Sequence, residues 1–397
     1  METLIKSMQK QLLDQAQFVN YENPITEPTQ KAYMATPRHL FVKRYRELGT
    51  KEWNEVNEDN LESHLARLYQ DKALILFGDD PVNLQSTISQ PSFVLRILDM
   101  LQLKSGQKVF ELGAGSGWNA ALIGYLVGPE GHVYSLEIIP EVARAARATI
   151  EQLGIKNVSI IEADGGEGYV NEAPYDRAVF TAGTYDMPHH FFEQIKDGGL
   201  LMIIIKNEGG GDNLFLLRKK VDHFESVESI TCGFVQMTGK YRITDLDPII
   251  LETLPEWPKL KEQEKAKRNF WWGAKGKILW DFKTIGIRSF LAITEPLFKS
   301  FKAKIANGQS IEEMYFGLWD KENLSLVVIK DDTITSYGSL IAEQRLMKAI
   351  KSWVNLGMPN AACFNLKIYP KDIPLHADEN QRCVKRNESQ FLWSLKN

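Results

Sequence analysis

The chain has 397 residues, of which 44% are hydrophobic and 25% charged, and its formal net charge at pH 7 is -4. At ~150 residues per domain this length corresponds to about two or three globular domains, and the charge provides no overall basic field to attract nucleic acid or an anionic membrane. The three cysteines lie far apart and outside any CxxC or metal-ligand spacing, which argues against a disulfide scaffold, predicts no metal site and favours a reducing compartment.

Neither the N-terminal residues nor the longest apolar run suggests secretion or membrane insertion. Residues 1–11 are polar and lack the apolar stretch of a signal peptide. The purest apolar run, residues 200–205, is far shorter than the ~20 residues that a membrane helix needs. We therefore expect a cytoplasmic protein that neither crosses a membrane nor binds nucleic acid.

Four segments precede the first regular strand. Residues 4–18 have apolar side chains at helical spacing and predict a helix, and prolines predict an irregular segment across 24–37. Residues 52–69 are strongly charged and helix-like. Residues 91–101 predict an amphipathic helix with Pro91 at its first position.

From Lys108 the pattern becomes a regular alternation of short apolar strands and helices. We predict strands at 108–112, 132–137, 158–163, 177–181 and 199–205, and helices at 118–127, 140–153 and 188–195. Repeated β-α-β units with right-handed crossovers predict an α/β fold, a doubly wound Rossmann-like sheet with helices on both faces. Ligands of such sheets bind beyond the carboxyl ends of the strands, where the strand order reverses.

The regularity fades after about Gly239. We assign 240–270 to a linker, because prolines are followed there by the charged stretch 259–268, which is typical of a linker or a solvated helix. Residues 271–397 are assigned to a smaller α+β accessory domain of unknown role, with a strand at 324–330 and a helix at 341–356. The adjacent Trp271 and Trp272 are interpreted as packing residues rather than as an aromatic cage.

The strongest local signal is a glycine loop between the first of these strands and the helix that follows it. Residues 111–118 read ELGAGSGW, in which Gly113, Gly115 and Gly117 permit a tight turn and a close approach of a ligand to the backbone. The N–H groups at the start of the following helix are available to a carboxylate. The GxGxG spacing is one residue shorter than the dinucleotide fingerprint GxGxxG, which makes a dinucleotide the weaker alternative.

Carboxylates end the neighbouring strands as well. Glu137 lies twenty residues past Gly117, where an acidic side chain can accept hydrogen bonds from two ribose hydroxyls. Asp164 follows the third strand, where it can accept a bond from the exocyclic amine of an adenine. Together with Glu111 and the glycine loop, these carboxylates suggest S-adenosylmethionine as the ligand.

These residues, together with motifs outside the glycine loop, resemble the protein-L-isoaspartate O-methyltransferases. The motifs are TPRHLFV at 36–42, STISQP at 86–91, VYSLE at 133–137 with PE at 140–141, ADG at 163–165 and APYD at 173–176. The TISQP sequence belongs to this peptide-acting family, which disfavours a small-molecule methyltransferase. The resemblance covers residues 1–239, ends with 234–239, and implies a class I methyltransferase domain.

The resemblance implies that the chain uses S-adenosyl-L-methionine to methylate an isoaspartyl or aspartyl carboxylate in a protein or peptide. The products would be S-adenosyl-L-homocysteine and a methyl ester that can form a succinimide. No His or Cys base is needed, because a carboxylate with a pKa near ~4 is already ionised at neutral pH. By the resemblance Ser89 is the catalytic hydroxyl, and Thr87, Ile88 and Gln90 bind the acceptor. It also implies cofactor contacts from Glu111, Gly113, Gly115, Ser116, Gly117, Trp118, Glu137, Ile138, Asp164 and Gly165.

Some of these residues have an alternative structural interpretation. Ser89 precedes a predicted helix and can serve as its N-cap, and Trp118 can begin a core helix instead of packing against the cofactor. His39, His189 and His190 are interpreted as structural or surface residues rather than as general bases. The sequence leaves both interpretations of Ser89 and Trp118 open.

Two departures from the family pattern affect the choice of acceptor. The segment 78–86 that leads into TISQP is acidic instead of glycine-rich, and the chain continues well beyond Gly239. Fused forms of this kind resemble the aspartate methyltransferases that act on ribosomally made modified peptides, such as those linked to lanthipeptides. General repair of isoaspartyl proteins, dedicated tailoring of one peptide and a non-catalytic cofactor-binding adaptor are therefore kept as alternatives, and no oligomeric state is predicted.

Overall fold

The computed structural model describes residues 1–78, 86–208, 212–269, 282–303, 313–330 and 333–396. The α-helices of this part of the chain are α1 (Glu2–Val19), α2 (Glu27–Ala35), α3 (Leu61–Leu68), α4 (Pro91–Met100), α5 (Trp118–Val127), α6 (Pro140–Gln152), α7 (Phe191–Gln194), α8 (Trp257–Lys261), α9 (Phe282–Thr294) and α10 (Ile341–Asn355). Its strands are β1 (Arg44–Glu47), β2 (Asn54–Glu55), β3 (Leu74–Phe77), β4 (Ser86–Ile88), β5 (Lys108–Leu112), β6 (His132–Glu137), β7 (Val158–Glu162), β8 (Tyr175–Thr184), β9 (Ile195–Ile205), β10 (Asp212–Lys219), β11 (Phe224–Cys232), β12 (Ile249–Ile250), β13 (Glu264–Asn269), β14 (Phe298–Ala303), β15 (Glu313–Asp320), β16 (Ser325–Lys330), β17 (Thr333–Gly338), β18 (Phe364–Pro370), β19 (Gln381–Lys385) and β20 (Ser389–Leu395).

The largest sheet has ten strands in the order β19-β20-β18-β11-β10-β9-β8-β5-β6-β7. Strands β5 to β9 are parallel to one another, and β10 and β11 continue the sheet in antiparallel orientation. The chain proceeds outwards from β5 to β7 and then returns to place β8 on the other side of β5. The strand order therefore reverses between β5 and β8, where doubly wound sheets bind their ligands, and the predicted α/β class is confirmed.

Alternate residues of the central strand β9 face opposite layers, as the two-residue period of a strand requires. Leu200, Met202 and Ile204 belong to a first core, which includes the N-terminal helices and α5. Leu201 and Ile203 belong to a second core, which includes α9 and α10. The wholly apolar run at 199–205 thus reflects a strand that is covered on both faces.

The residues before β5 build a small sheet in the order β2-β1-β3-β4 and the helices α1 to α4, which pack on the first core. Strand β4 ends at Ile88, and Pro91 begins α4. Proline suits this first helical position, because a helix needs no N–H bond there. The TISQP residues consequently form a short connection between an edge strand and a helix N-terminus.

The C-terminal region contributes strands to two sheets. Strands β18, β20 and β19 extend the central sheet, since β18 pairs antiparallel with β11 through Phe224–Ile368 and Glu225–Lys367. The remaining strands form a sheet in the order β12-β14-β15-β16-β17-β13, on which α10 packs. The domain boundaries at 239 and 270 stay a prediction, although pairing of β13 with β17 places part of the predicted linker in this sheet.

Four predicted segments differ from the structure. The segment 24–37 is not irregular throughout, because Pro28 lies in the first turn of α2, where proline is compatible with a helix. Within 52–69 only α3 is helical, and the charged residues before it include the short strand β2. Within 188–195 only α7 is helical, since Ile195 already begins β9. The charged stretch 259–268 is divided between α8 and β13 and is therefore not one solvated helix.

Two further predictions concern the aromatic pair and the membrane. Trp271 and Trp272 lie outside the described residues. Within the described ranges, no helix combines the length and the hydropathy that spanning a bilayer requires.

Candidate active site

The glycine loop lies at the switch point, between the carboxyl end of β5 and the N-terminus of α5. Gly113, Gly115 and Gly117 have φ angles of 92°, 53° and 82°, a region that glycine adopts without strain. A Cβ atom on Gly113 would lie 2.5 Å from Thr181 Oγ1, and one on Gly115 would lie 3.5 Å from the carbonyl oxygen of Thr87. The loop therefore passes close to β8 on one side and to the TISQP residues on the other.

Glu111 lies beneath this loop and is fully buried. Its Oε1 accepts a hydrogen bond from Asn119 Nδ2 at 2.6 Å, and its Oε2 accepts one from the Ser135 hydroxyl at 2.5 Å. Burial raises the pKa of the Glu111 carboxyl to about 7, although both hydrogen bonds oppose this shift. Glu111 thus joins β5 to β6 and to α5 beneath the glycine loop. The cofactor contact expected of it stays a prediction.

Glu137 holds the glycine loop from the end of β6. Its Oε2 accepts a hydrogen bond from the Gly115 N–H at 2.9 Å, and its Oε1 accepts one from the Ile139 N–H at 3.0 Å. Burial raises the pKa of this carboxyl, whereas the backbone N–H groups favour its charged form. Ile138, the next residue, is 36% exposed. Glu137, the predicted ribose contact, and Ile138, a further predicted cofactor contact, are therefore adjacent at the edge of the sheet.

Asp164 follows β7, and its carboxylate is held from both sides. Its Oδ1 accepts a hydrogen bond from the Gly166 N–H and its Oδ2 one from the Lys240 N–H, both at 2.8 Å. Gly165 is buried against the end of β5, which brings Asp164 towards the glycine loop. A Cβ atom on Gly239, whose φ is 92°, would lie 2.2 Å from Asp164 Oδ2. Gly239 therefore permits the chain to pass directly against this carboxylate.

Residues 234–241, which we name the crossing segment, run across the carboxyl edge of the sheet. The ring of Phe234 contacts that of Phe93 in α4, with centroids 5.8 Å apart. Two backbone hydrogen bonds of 2.7 and 2.8 Å then join the segment to Gly183 at the end of β8, and the segment ends against Asp164. It therefore connects the acceptor side of the site to the predicted adenine side.

Ser89 does not cap helix α4. The N-cap residue is Gln90, without a side-chain cap, and the Ser92 N–H donates instead to Asp71 Oδ1 at 2.8 Å. The Ser89 hydroxyl makes no hydrogen bond to another residue in the described part of the chain. The capping interpretation of Ser89 is therefore wrong, because Asp71 from a distant turn performs that role, and the predicted catalytic role is left.

Trp118 lies in the first core and not in an open pocket. Its side chain is 1% exposed, its Nε1–H donates to the Thr36 carbonyl at 3.0 Å, and its ring packs edge-on against Tyr33. The guanidinium of Arg38 lies 5.7 Å from its centroid. The predicted contact of this side chain with a cofactor is corrected, because its indole is used in packing.

The histidines take part in packing and in surface contacts. The His39 ring accepts or donates a hydrogen bond with the Tyr69 hydroxyl at 2.7 Å, and burial lowers its pKa. His189 is exposed and bonds to Glu388 at 2.5 Å, while burial lowers the pKa of His190. In the ranges that the structure covers, no three His, Cys, Asp or Glu side chains form a group suited to a metal ion.

The C-terminal region reaches this edge of the sheet through the turn before β20. Asp186, which follows β8 and is buried, accepts hydrogen bonds from the Glu388 N–H at 2.7 Å and the Ser389 hydroxyl at 2.5 Å. A cleft of about 70 Å³ separates this turn from the crossing segment; it is lined by Asp186, Pro188, Lys240, Tyr241, Arg242, Ile243, Asn387 and Glu388. The C-terminal region therefore borders the site directly.

The structure brings most of the predicted site residues to one edge of the sheet and adds three that the sequence analysis missed. Asp71 caps α4, Thr181 supports the glycine loop, and Gly239 lets the crossing segment approach Asp164. Only Gly239 had a sequence signal, since it ends the region of family resemblance. Asp71 and Thr181 are defined by tertiary contacts that no local pattern indicates.

Comparison with known proteins gives a family for most of this site. The family model for protein-L-isoaspartate(D-aspartate) O-methyltransferase (PCMT) matches residues 9–242. A protein-L-isoaspartate O-methyltransferase of Ignicoccus hospitalis is 35% identical over 207 residues, which cover 52% of this chain and 87% of the relative. One of Methanothrix thermoacetophila is 35% identical over 224 residues, which cover 56% of this chain and 93% of the relative.

A solved structure of a protein-L-isoaspartate O-methyltransferase extends the likeness in fold to the C-terminal region. It aligns with a TM-score of 0.53 at 20% identity, over 96% of this chain and 98% of its own. The extra C-terminal strands thus have a counterpart of similar fold in another protein. The family match over 9–242 and the high coverage of the relatives lead to one conclusion: the chain belongs to the protein-L-isoaspartate(D-aspartate) O-methyltransferase family.

Proposed function

We propose that the chain is an S-adenosyl-L-methionine-dependent protein carboxyl O-methyltransferase, which methylates an isoaspartyl or aspartyl carboxylate in a protein or peptide. Family membership supports the reaction. One observation supports its location: the Cβ position of Gly115 lies 3.5 Å from the Thr87 carbonyl oxygen, so the glycine loop meets the TISQP residues. A group transfer between two bound molecules requires such a junction, because donor and acceptor atoms must be held in line.

The hydrogen-bonding groups around the glycine loop fit an S-adenosyl-L-methionine molecule. After its two backbone hydrogen bonds, the Glu137 carboxylate retains lone pairs that can accept from ribose hydroxyls. Ile138 would cover one face of the adenine, and Asp164 would accept from its exocyclic amine. The Ser116 N–H, which has no partner among the described residues, would donate to the methionine carboxylate. When bound, the cofactor supplies an electrophilic methyl group on a sulfonium.

The acceptor needs placement rather than activation. An isoaspartyl carboxylate is ionised at neutral pH, so its oxygen can attack the methyl carbon without a general base. One carbon–oxygen bond forms while the carbon–sulfur bond breaks, which gives a methyl ester and S-adenosyl-L-homocysteine. The Ser89 hydroxyl would donate to the carboxylate oxygen that does not attack. The buried His39 and the half-buried His190, whose pKa values are lowered by burial, have no step to perform.

Methylation of an isoaspartyl model peptide tests this proposal. Transfer of labelled methyl groups into a base-labile ester is expected for the wild-type chain. Ser89→Ala should lower kcat/KM by about 10- to 100-fold, because it removes one hydrogen bond to a charged group, worth ~1.5–3 kcal/mol. Ser105→Ala, in an exposed turn, is the matched control and should leave the rate unchanged.

Two results would contradict the proposal. Equal rates for Ser89→Ala and Ser105→Ala would remove Ser89 from the reaction. Binding of S-adenosyl-L-homocysteine by calorimetry without any methyl ester on isoaspartyl or aspartyl peptides would favour the non-catalytic adaptor instead.

We further propose that the biological role is repair of isoaspartyl proteins in the cytoplasm. The family match supports this role, as do the curated relatives named protein-L-isoaspartate O-methyltransferase, of which the match covers 87% and 93%. Tailoring of one dedicated peptide is the second candidate, favoured by the C-terminal turn at Glu388 that borders the site. A panel of unrelated isoaspartyl peptides separates them: similar kcat/KM values support repair, whereas strong preference for one sequence or for ordinary aspartate supports tailoring.

A further inference from the structure

The connection that carries Ser89 is fastened by a single buried guanidinium. Arg38 is fully buried, and its two terminal nitrogens donate hydrogen bonds only to backbone carbonyls. These carbonyls belong to Leu68 (2.8 Å), Gln70 (3.3 Å), Lys72 (2.8 Å), Ile88 (3.3 Å) and Ser89 (3.1 Å). Arg38 therefore joins the turn at 68–72 to the end of β4.

The same hydrogen bonds decide where two backbone N–H groups point. The carbonyl oxygens of Ile88 and Ser89 both converge on Arg38 Nη2. In a planar trans peptide the N–H points opposite to the carbonyl, so the N–H groups of Ser89 and Gln90 are directed away from Arg38. Neither N–H has an acceptor among the described residues. Successive N–H groups on one side of a loop form a binding site for an anion.

Asp71 holds the other end of this connection. Its Oδ1 accepts from the Ser92 N–H at 2.8 Å, and its Oδ2 accepts from the Ser92 hydroxyl at 2.7 Å and from Gln90 Nε2 at 2.9 Å. Asp71 lies in the turn at 68–72, which Arg38 itself holds. The Ser89–Gln90 step is therefore fixed through its carbonyls on one side and through the helix N-terminus on the other.

The charges of the two residues support this arrangement. Burial lowers the pKa of the Arg38 guanidinium to about 10, and attraction to Asp71 is among the effects that oppose the shift. Within the described residues Arg38 has no ion pair at hydrogen-bond distance. Five carbonyl dipoles and a nearby carboxylate thus keep a buried cation charged without neutralising it by direct contact.

We propose that Arg38 and Asp71 are positioning residues, which orient the backbone N–H groups of Ser89 and Gln90 towards the acceptor carboxylate before it binds. This inference rests on the proposed carboxyl methylation. A carboxylate held by two N–H groups and the Ser89 hydroxyl would present its attacking oxygen in one direction. Without either positioning residue the attacking oxygen would no longer be held in one direction, which would weaken both the binding of the acceptor and its attack on the methyl group.

Asp71→Ala is the decisive variant, because Asp71 is half-buried and its removal should leave the fold intact. We expect KM for an isoaspartyl peptide to rise and kcat to fall, with kcat/KM lowered about 10- to 100-fold. Affinity for S-adenosyl-L-homocysteine should be unchanged. Asp71→Asn retains an oxygen acceptor for the Ser92 N–H and should recover part of the activity.

Asp99→Ala is a closely matched control. Asp99 is also half-buried and also accepts three hydrogen bonds, from the Thr26 N–H, the Thr26 hydroxyl and the Thr29 hydroxyl, at the start of α2. A merely structural role for Asp71 predicts the same loss of thermal stability and the same unchanged KM in both variants. The proposal predicts a raised KM in Asp71→Ala alone.

The outcomes separate this inference from the proposed function. Absence of methyl ester formation by the wild-type chain would overturn the function and the inference together. A wild-type chain that turns over, with equal kcat and KM for Asp71→Ala and Asp99→Ala, would overturn the inference alone. Arg38→Lys adds a stringent arm, since an ammonium has too few donors for five carbonyls; a folded Arg38→Lys chain with wild-type KM would also overturn it.

Discussion

The contact between Gly113 and Thr181 allows a quantitative test of the glycine loop. Gly113 has a φ of 92°, and a Cβ atom there would lie 2.5 Å from Thr181 Oγ1. That hydroxyl donates to the carbonyls of Leu112 at 2.8 Å and Gly113 at 2.6 Å, sharing its single proton between them. Gly113→Ala therefore introduces backbone strain and also displaces a hydroxyl that supports the loop.

The two effects have different magnitudes and can be separated. An L-residue in the left-handed region costs roughly 1–2 kcal/mol. Turning the Thr181 hydroxyl away loses a hydrogen bond worth about 1 kcal/mol. We expect Gly113→Ala to lower the free energy of unfolding by about 2–3 kcal/mol in the wild-type background. In a Thr181→Ala background the overlap is absent, and the same change should cost only the backbone strain.

A double-mutant cycle measures this difference. Urea unfolding of the wild-type chain, the single variants and the double variant should give a coupling free energy of about 1 kcal/mol. S-adenosyl-L-homocysteine affinity, measured by calorimetry, should fall in Gly113→Ala and partly recover in the double variant. Equal costs of Gly113→Ala in both backgrounds would refute the overlap as the reason for glycine at this position.

Three further predictions concern the crossing segment, Glu111 and the C-terminal turn. Gly239→Ala should lower S-adenosyl-L-homocysteine affinity at least about tenfold by calorimetry, because its Cβ atom, 2.2 Å from Asp164 Oδ2, displaces a carboxylate whose charged hydrogen bond is worth ~1.5–3 kcal/mol. Burial raises the pKa of Glu111 from 4.5 to about 7 in the folded chain, so the stability that its protonated form gives is full below about pH 4.5 and is lost as the pH rises through about 7. Glu111→Gln should remove on the order of 3 kcal/mol of this pH dependence in urea unfolding. Ser389→Ala should lower the free energy of unfolding by about 1.5–3 kcal/mol, because it leaves the buried Asp186 with one hydrogen bond fewer. A change of less than about 0.5 kcal/mol would show that the turn rearranges to replace the lost hydrogen bond.

The central sheet and the cofactor edge were predictable because their signals are local. Strands β5 to β9 each contain a short apolar run, and the helices α5, α6 and α7 follow β5, β6 and β8. The glycine loop is likewise a turn signal that is visible in the local sequence. Glu137 ends β6 and Asp164 follows β7, so the parallel topology alone brings both to the carboxyl edge of the sheet, beside the switch point. The resemblance to a family then supplied Ser89, which the local pattern favoured as a helix cap.

The remaining features depend on contacts between distant residues. Asp71 replaces Ser89 as the cap of α4 from a turn that is remote in sequence, so the position before the helix gave no indication of it. Trp118 adjoins a cofactor motif, yet its indole finds a partner in Thr36 and is drawn into the core. Pro28 was interpreted as a break because proline disrupts the interior of a helix, but here it lies in the first turn of α2, where proline is tolerated.

The pairing of β18 with β11 was equally beyond local patterns. Phe224 and Ile368 are paired although a long stretch of chain, which contains most of another sheet, lies between them. The sequence of neither strand indicates which strand it pairs with. Sequence regularity ended where the family resemblance ended, which favoured a separate accessory domain. Residues from both parts contribute to the second core, and the boundaries of the accessory domain stay a prediction.

The alternation along β9 has a consequence for how the chain can be divided. Leu201 and Ile203 of β9, like Phe215 of the neighbouring β10, face a layer supplied by α9 and α10, which lie far beyond the last residue of the family match. A fragment that stopped at residue 242 would expose these apolar side chains to water as a large hydrophobic surface. The catalytic part and its extension should therefore melt in one transition, and the extension could be neither shed by proteolysis nor exchanged between proteins as an independent module.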